Sequence, residues 1–197
     1  AIAMKYLSVE EAMSAPGLRL VLTAGVPGPW GEAAKAILAF KNIEYTPILQ
    51  QGGGDNDALQ KWTGQTSAPV AVYEDFPPVC HWFDLLMLAE RLSPERPLVP
   101  KDCGARIDVL GVSALIAGAD GFGWQRRLQI LAPMLLLDEP PDIAVRLGMK
   151  YGWSKQTYVA AIERLQAISA ELDGRLLRQE AAGSDFMVGH TVTAADF

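Results

Sequence analysis

Every strand-like run in this chain lies before residue 81, and every apolar pattern beyond Ser93-Pro94-Glu95-Arg96-Pro97-Leu98-Val99-Pro100 repeats with helical spacing. That asymmetry confines any sheet to the first half and leaves the second half all-α. The three prolines in the intervening segment each remove a backbone donor, which marks it as a linker. The expected organisation is an α/β domain over 16–93, a linker over 94–102 and a helical domain over 103–197.

Within the first half, Leu18-Arg19-Leu20-Val21-Leu22 is short, aliphatic and bounded by Pro16-Gly17 and Gly25, the pattern of a strand buried on both faces. After the turn from Gly25 to Gly31, Ala33, Ala36, Ile37 and Phe40 form a helical stripe that Asn42 can stop. Glu44 to Leu49 reads as a strand whose Pro47 cannot donate to a ladder, so it belongs at a sheet edge. The β-α-β order implies a right-handed parallel crossover. Gly52 to Asp55 is a loop, and Asp57 to Trp62 allows only a short helix before Gly64. Pro69 to Tyr73 and Pro78-Val79-Cys80 are spaced for an antiparallel hairpin, and Leu85, Leu88, Ala89 and Leu92 mark a helix after it.

In the second half, Ile107, Leu110, Ala114 and Leu115 share one helical face, as do Tyr158, Ile162, Leu165, Ile168, Leu172 and Leu176. Pro133 and Pro140-Pro141 should break or bend the helices between them, and Ser154 can cap the long helix that follows.

A formal charge of −6 over 197 residues, with no clustered Lys and Arg, argues against a nucleic-acid partner. Cys80 and Cys103 are the two cysteines, too few and too isolated for a disulfide framework or a zinc site, so no metal is expected. No apolar run reaches the ~18 residues that cross a bilayer, and no basic segment leads into a signal-type apolar core, so the expectation is a cytoplasmic protein with no membrane partner. Met4 reads as a natural start, leaving residues 1–3 outside the fold.

Two segments carry a resemblance. Gly189-His190-Thr191-Val192-Thr193-Ala194-Ala195-Asp196-Phe197 is similar to the G-x-x-[apolar]-T-x-A-D-[apolar] signature of the cytosolic glutathione transferases, near the end of their helical domain. Its physics is that of a helix start: Thr193 accepts from the Asp196 amide, Asp196 reaches back to the Thr193 amide, and Val192 and Phe197 form a hydrophobic staple. A helix beginning there implies that the natural chain continues past Phe197. Thr66-Ser67-Ala68-Pro69-Val70 looks like that family's loop before the third strand, where a cis-proline exposes the preceding backbone to the cysteinyl part of glutathione.

The resemblance implies a thioredoxin-like α/β domain with a mixed four-stranded sheet, followed by an all-helical bundle. It implies glutathione as co-substrate, a small apolar electrophile as acceptor and a homodimer. The glutathione-binding positions it points to are Ala68 and Pro69, His81 and Trp82 at the third helix of the first half, and Gly28 and Trp30 in the first βα loop.

The chain departs from the family in two places. Counting back from Lys41-Asn42-Ile43 puts Ala24 where the tyrosine classes carry Tyr and Gly28 where others carry Cys or Ser. His81-Trp82 stands where Glu/Asp-Ser/Thr usually holds the γ-glutamyl group. The catalytic residue is therefore not identified. Thr23 is the nearby hydroxyl and reads as a polar strand end. Amides at the helix start near Gly31 and Glu32 offer another route to a thiolate. His81, protonated, can pair with a carboxylate. Cys80 reads as a small buried strand residue, with thiol chemistry beside His81 as the lesser reading. Thiol-disulfide exchange would need a cysteine between Ala24 and Glu32, and none is there. A non-catalytic binding or interaction protein on the same fold is the alternative to a transferase.

Overall fold

The structure is a computed structural model, described here for residues 5–25 and 27–197; the reading of residues 1–3 and of Met4 lies outside the described residues. The chain separates into two compact units, residues 1–97 with Phe197, and residues 98–196.

The first unit is built on a three-stranded sheet of β1 (Leu18–Thr23), β2 (Thr46–Gln50) and β3 (Val70–Tyr73) in the order β2-β1-β3. β1 pairs parallel with β2 and antiparallel with β3, so the aliphatic run is central and buried on both faces. One face carries Leu18, Leu20 and Leu22 against Leu38 of α2 (Pro29–Phe40) and Leu88 and Ala89 of α4 (Trp82–Leu92). The other carries Val21 with Ile48 and Val70 against Leu59 of α3 (Asp57–Thr63) and Val9 and Ala12 of α1 (Val9–Ala12).

The expected fourth strand is reduced to one bridge. Val79 and Ala71 exchange both backbone bonds at 2.8 and 2.9 Å, but Pro77 and Pro78 have no N–H with which to extend the ladder. The sheet therefore has three strands, not four. Pro47 sits at the sheet edge as its missing donor requires: the outward carbonyl of Pro47 and the amide of Leu49 meet Leu7 in another single bridge.

Asn42 ends α2 as the sequence suggests. With φ 55° it takes the left-handed turn, its N–H reaches Ala39 O, and the Ile43 N–H returns to Leu38 O at 2.9 Å. The preceding Lys41 is fully buried, its Nζ 2.7 Å from both Glu90 Oε1 and Arg96 O. Arg19, inside the aliphatic strand, is also buried; its guanidinium donates to the carbonyls of Ala12 and Val72 and to Glu74 O, and lies 5.4 Å from the Trp62 ring centre. It ties the end of α1 to the β3 side of the sheet.

The second unit is helical among the described residues: α5 (Cys103–Ala117), α6 (Phe122–Leu135), α7 (Asp142–Tyr151) and α8 (Lys155–Ala181), followed by a 3₁₀ turn at Ala194–Asp196. Contrary to the sequence reading, the stretch Cys103–Leu135 is long and apolar enough to span a bilayer by composition, with a window of mean hydropathy 1.3. The chain breaks it at Gly118–Gly121 into two helices of 15 and 14 residues. Pro133 does not end α6; it occupies the last turn, where it only deprives the Gln129 carbonyl of a donor, and the helix continues to Leu135. Pro140 and Pro141 do lie in the break before α7. Ser154 caps α8 through a reciprocal box with Thr157, with bonds of 2.8 and 3.0 Å.

The turn at Thr193 differs in detail from the expected box. Asp196 accepts from the Thr193 amide at 2.8 Å as anticipated, but the Thr193 hydroxyl accepts from Ala195, and the Asp196 amide goes to Thr193 O. The second carboxylate oxygen takes the Met187 amide at 2.8 Å, so Asp196 also anchors the loop before it. The Phe197 ring lies 5.7 Å from Phe40, and its contact is thus with the first unit.

Candidate functional site

The first unit gathers its chemistry at the carboxyl ends of β1 and β2, the end at which open α/β sheets bind ligands. Parallel pairing sets Thr23 opposite Gln50 at that edge. Antiparallel pairing of Val21 with Val70 brings the start of β3, and with it Ala68-Pro69, to the same edge. The antiparallel Ala71–Val79 bridge turns the chain after Val79 back toward the start of β3, and α4 begins there. The topology thus draws Gly28 and Trp30, Ala68 and Pro69, and His81 and Trp82 to one end of the sheet.

α2 enters this edge with Gly28 as its N-cap and Pro29 at its first position, so no side chain caps its amides. Gly31 faces the sheet, where a Cβ would lie in van der Waals contact with Leu22 Cδ2 at 3.4 Å. Glu32 puts a negative charge in the first turn, but Lys35 holds it at 2.7 Å. That pairing, by a charge-assisted bond to Glu32, also raises the Lys35 pKa. α4 likewise starts without a side-chain cap, at His81. The His81 ring is exposed and 5.8 Å from Trp82, which in turn meets Phe83 edge to face at 5.8 Å.

The Ala68-Pro69 bond is cis, as the resemblance implies. Thr23 is committed to structure, its hydroxyl donating to Gln50 Oε1 at 2.6 Å. Cys80 is exposed rather than buried, because the strand expected to contain it is reduced to the single bridge at Val79. Ala24 is half-buried and brings no titratable group. Sequence reasoning passed over Gln50, whose buried amide joins Thr23 to Thr66 O at 3.1 Å; a polar residue ending a β-like run was its only signal.

A separate cavity of about 540 Å³ lies in the helical unit, walled by Trp124 and Tyr151, which meet edge to face at 4.7 Å, and rimmed by Arg164 and Asp120. Burial pushes the Tyr151 phenol pKa up. Arg127, at 5.8 Å from the Tyr151 ring, and the exposed Arg126, bonded to Gln129, both serve local packing within this unit.

No family model matches the sequence, and no curated protein matches it. Solved structures do. The Tau class glutathione S-transferase from mango, Mangifera indica, superposes with a TM-score of 0.62 at 18% identity, covering 91% of this chain and 71% of that one. A glutathione S-transferase from Methylobacterium radiotolerans, in complex with glutathione sulfonate, gives 0.65 at 16% identity over 90% of this chain and 73% of its own. Human glutathione S-transferase T1-1 in its apo form gives 0.64 at 20% identity over 91% of this chain and 70% of its own. With a thioredoxin-like sheet unit followed by a helical unit, and matches of this extent, the chain has the fold of the glutathione S-transferases.

Proposed function

We propose that the protein binds glutathione in its first unit and conjugates it to a small apolar electrophile. The observation that carries this reading is the convergence of two uncapped helix starts, at Gly28 and His81, with the cis Ala68-Pro69 loop at one sheet edge. Uncapped helix starts present amides that suit an anion. In this reading the Ala68 backbone meets the cysteinyl part of glutathione, His81 and the first-turn amides of α4 receive a carboxylate, and Trp30 walls the cleft. The start of α2 replaces the missing hydroxyl. Its favourable field of up to ~2 kcal/mol would lower the thiol pKa by up to about 1.5 units, which at neutral pH raises the thiolate fraction severalfold or more. The thiolate then forms the new C–S bond, the acceptor's leaving group departs with the electron pair, and the thiol proton passes to solvent.

The active form in this proposal is a cytoplasmic homodimer of twofold symmetry, and the co-substrate needs no metal. Calorimetric titration with glutathione, followed by a conjugation assay with an activated aryl halide, tests the reading. Binding with turnover supports it. Binding without turnover favours a non-catalytic glutathione-binding protein, which the absence of a hydroxyl or thiol at Ala24 and Gly28 motivates. No binding at millimolar glutathione overturns it.

A further inference from the structure

We propose that Gln50 is the positioning residue of the glutathione site, holding the loop before Pro69 in register with the end of β1; the proposal rests on the glutathione reading above. Gln50 closes β2 and is 7% exposed, a place where a sheet ordinarily buries an aliphatic side chain. Burying an amide is unfavourable unless both ends find partners, and here both do. Nε2 donates to Gln51 O and Thr66 O, each at 3.1 Å, while Oε1 accepts from Thr23 Oγ1 at 2.6 Å. Two carbonyls on one side of the amide fix its orientation, because neither can donate.

One side chain therefore links the ends of β1 and β2 with the loop that leads into Ala68-Pro69. Gly52 leaves room beside Thr23, since a Cβ there would come within 3.2 Å of Thr23 Cγ2. The arrangement also settles what Thr23 can do. A hydroxyl has one proton, and the Thr23 proton is directed at Gln50, so toward a ligand the oxygen is an acceptor only. A thiolate needs donors. The two carbonyls therefore aim Gln50, Thr23 only fills its acceptor end, and Gln50 sets where the Ala68 backbone meets the ligand.

The test compares Gln50→Met, which keeps length but loses every hydrogen bond, Gln50→Glu, which keeps the acceptor for Thr23 but loses both donors, and Thr23→Val. Glutathione affinity by calorimetry should fall about tenfold in both Gln50 variants and stay within about twofold in Thr23→Val. KM for the electrophile should be unchanged, which a general loosening of the fold would not allow. Hydrogen exchange at the amides of Thr66, Ser67 and Ala68 should quicken in Gln50→Met and not in Thr23→Val. Should Gln50→Met fail to fold, Gln50→Glu decides the matter. Folded Gln50 variants that bind glutathione as the wild type does would overturn this proposal alone. A wild-type protein that does not bind glutathione would overturn the reading beneath it.

Discussion

Removing Glu90 should damage the first unit more than removing its buried partner Lys41. Lys41 Nζ is 2.7 Å from Glu90 Oε1, and the Lys41 side chain is 0% exposed against 17% for Glu90. At an effective dielectric of about 20 that pair is worth roughly 6 kcal/mol gross, which the desolvation of the two ions largely offsets. Glu90→Ala deletes the attraction and leaves the ammonium buried with Arg96 O as its remaining partner, so it should cost about 3–5 kcal/mol. Lys41→Met keeps the packing and removes the buried charge; water can reach Glu90, and the loss should be about 1–2 kcal/mol, chiefly for the bond to Arg96 O. Glu90→Gln, which retains an acceptor without the charge, should fall between them. Urea denaturation of the three variants measures the order. Lys41→Met proving as costly as Glu90→Ala would refute the reasoning, because the loss would then come from packing rather than from a stranded charge.

Asp196→Ala strips acceptors from the amides of Thr193 and Met187 and should destabilise the helical unit by about 2 kcal/mol, read as a lowered melting temperature. The Glu11 pKa is lowered, first by the Ser8 amide and then by the Ser8 hydroxyl, so its contribution is present above the ordinary glutamate value of about 4.3 and fades as pH falls through the lowered one. The melting-temperature gap between wild type and Glu11→Gln should accordingly be open at pH 7 and narrow as the pH falls below the ordinary glutamate value. His81→Ala should weaken glutathione binding by about 1 kcal/mol if one charge-assisted contact is lost, measured by calorimetry. Cys80→Ala should leave conjugation rates unchanged; a large rate loss at constant affinity would move catalysis to that thiol.

The elements written in backbone chemistry were legible from sequence. Leu18 to Leu22 reads as a two-faced buried strand because aliphatic continuity means one thing in a central strand. Asn42 reads as a stop because few residues tolerate positive φ, and Pro47 reads as an edge because its missing donor forbids anything else. The capping box at Ser8 and Glu11 was equally visible in the spacing, yet a four-residue helix has too little periodicity to draw attention to it. What stayed hidden depends on partners far along the chain. Arg19 satisfies carbonyls 53 and 55 residues away, and Gln50 reaches 16 residues to Thr66. Nothing local announces either. The fourth strand failed for a subtler reason: apolar residues at Val79 and Cys80 suit a strand, but the prolines before them cap the number of bonds at one pair. Of the site, the cis bond at Pro69 was legible through resemblance, and the Thr23–Gln50 strut was not.

The two one-residue bridges have a consequence for the protein's solubility. A three-stranded sheet has two open edges, and an open edge is a template on which another chain can add a strand. Here Leu7 occupies the outward bonding groups of β2 at Pro47 and Leu49, and Val79 occupies those of β3 at Ala71. Each plug is flanked by prolines, Pro47 within the edge strand itself and Pro77-Pro78 beside the other. An incoming strand would meet missing donors on one side and an already paired residue on the other. Single bridges, too short to count as strands, thus guard the sheet against edge-to-edge aggregation.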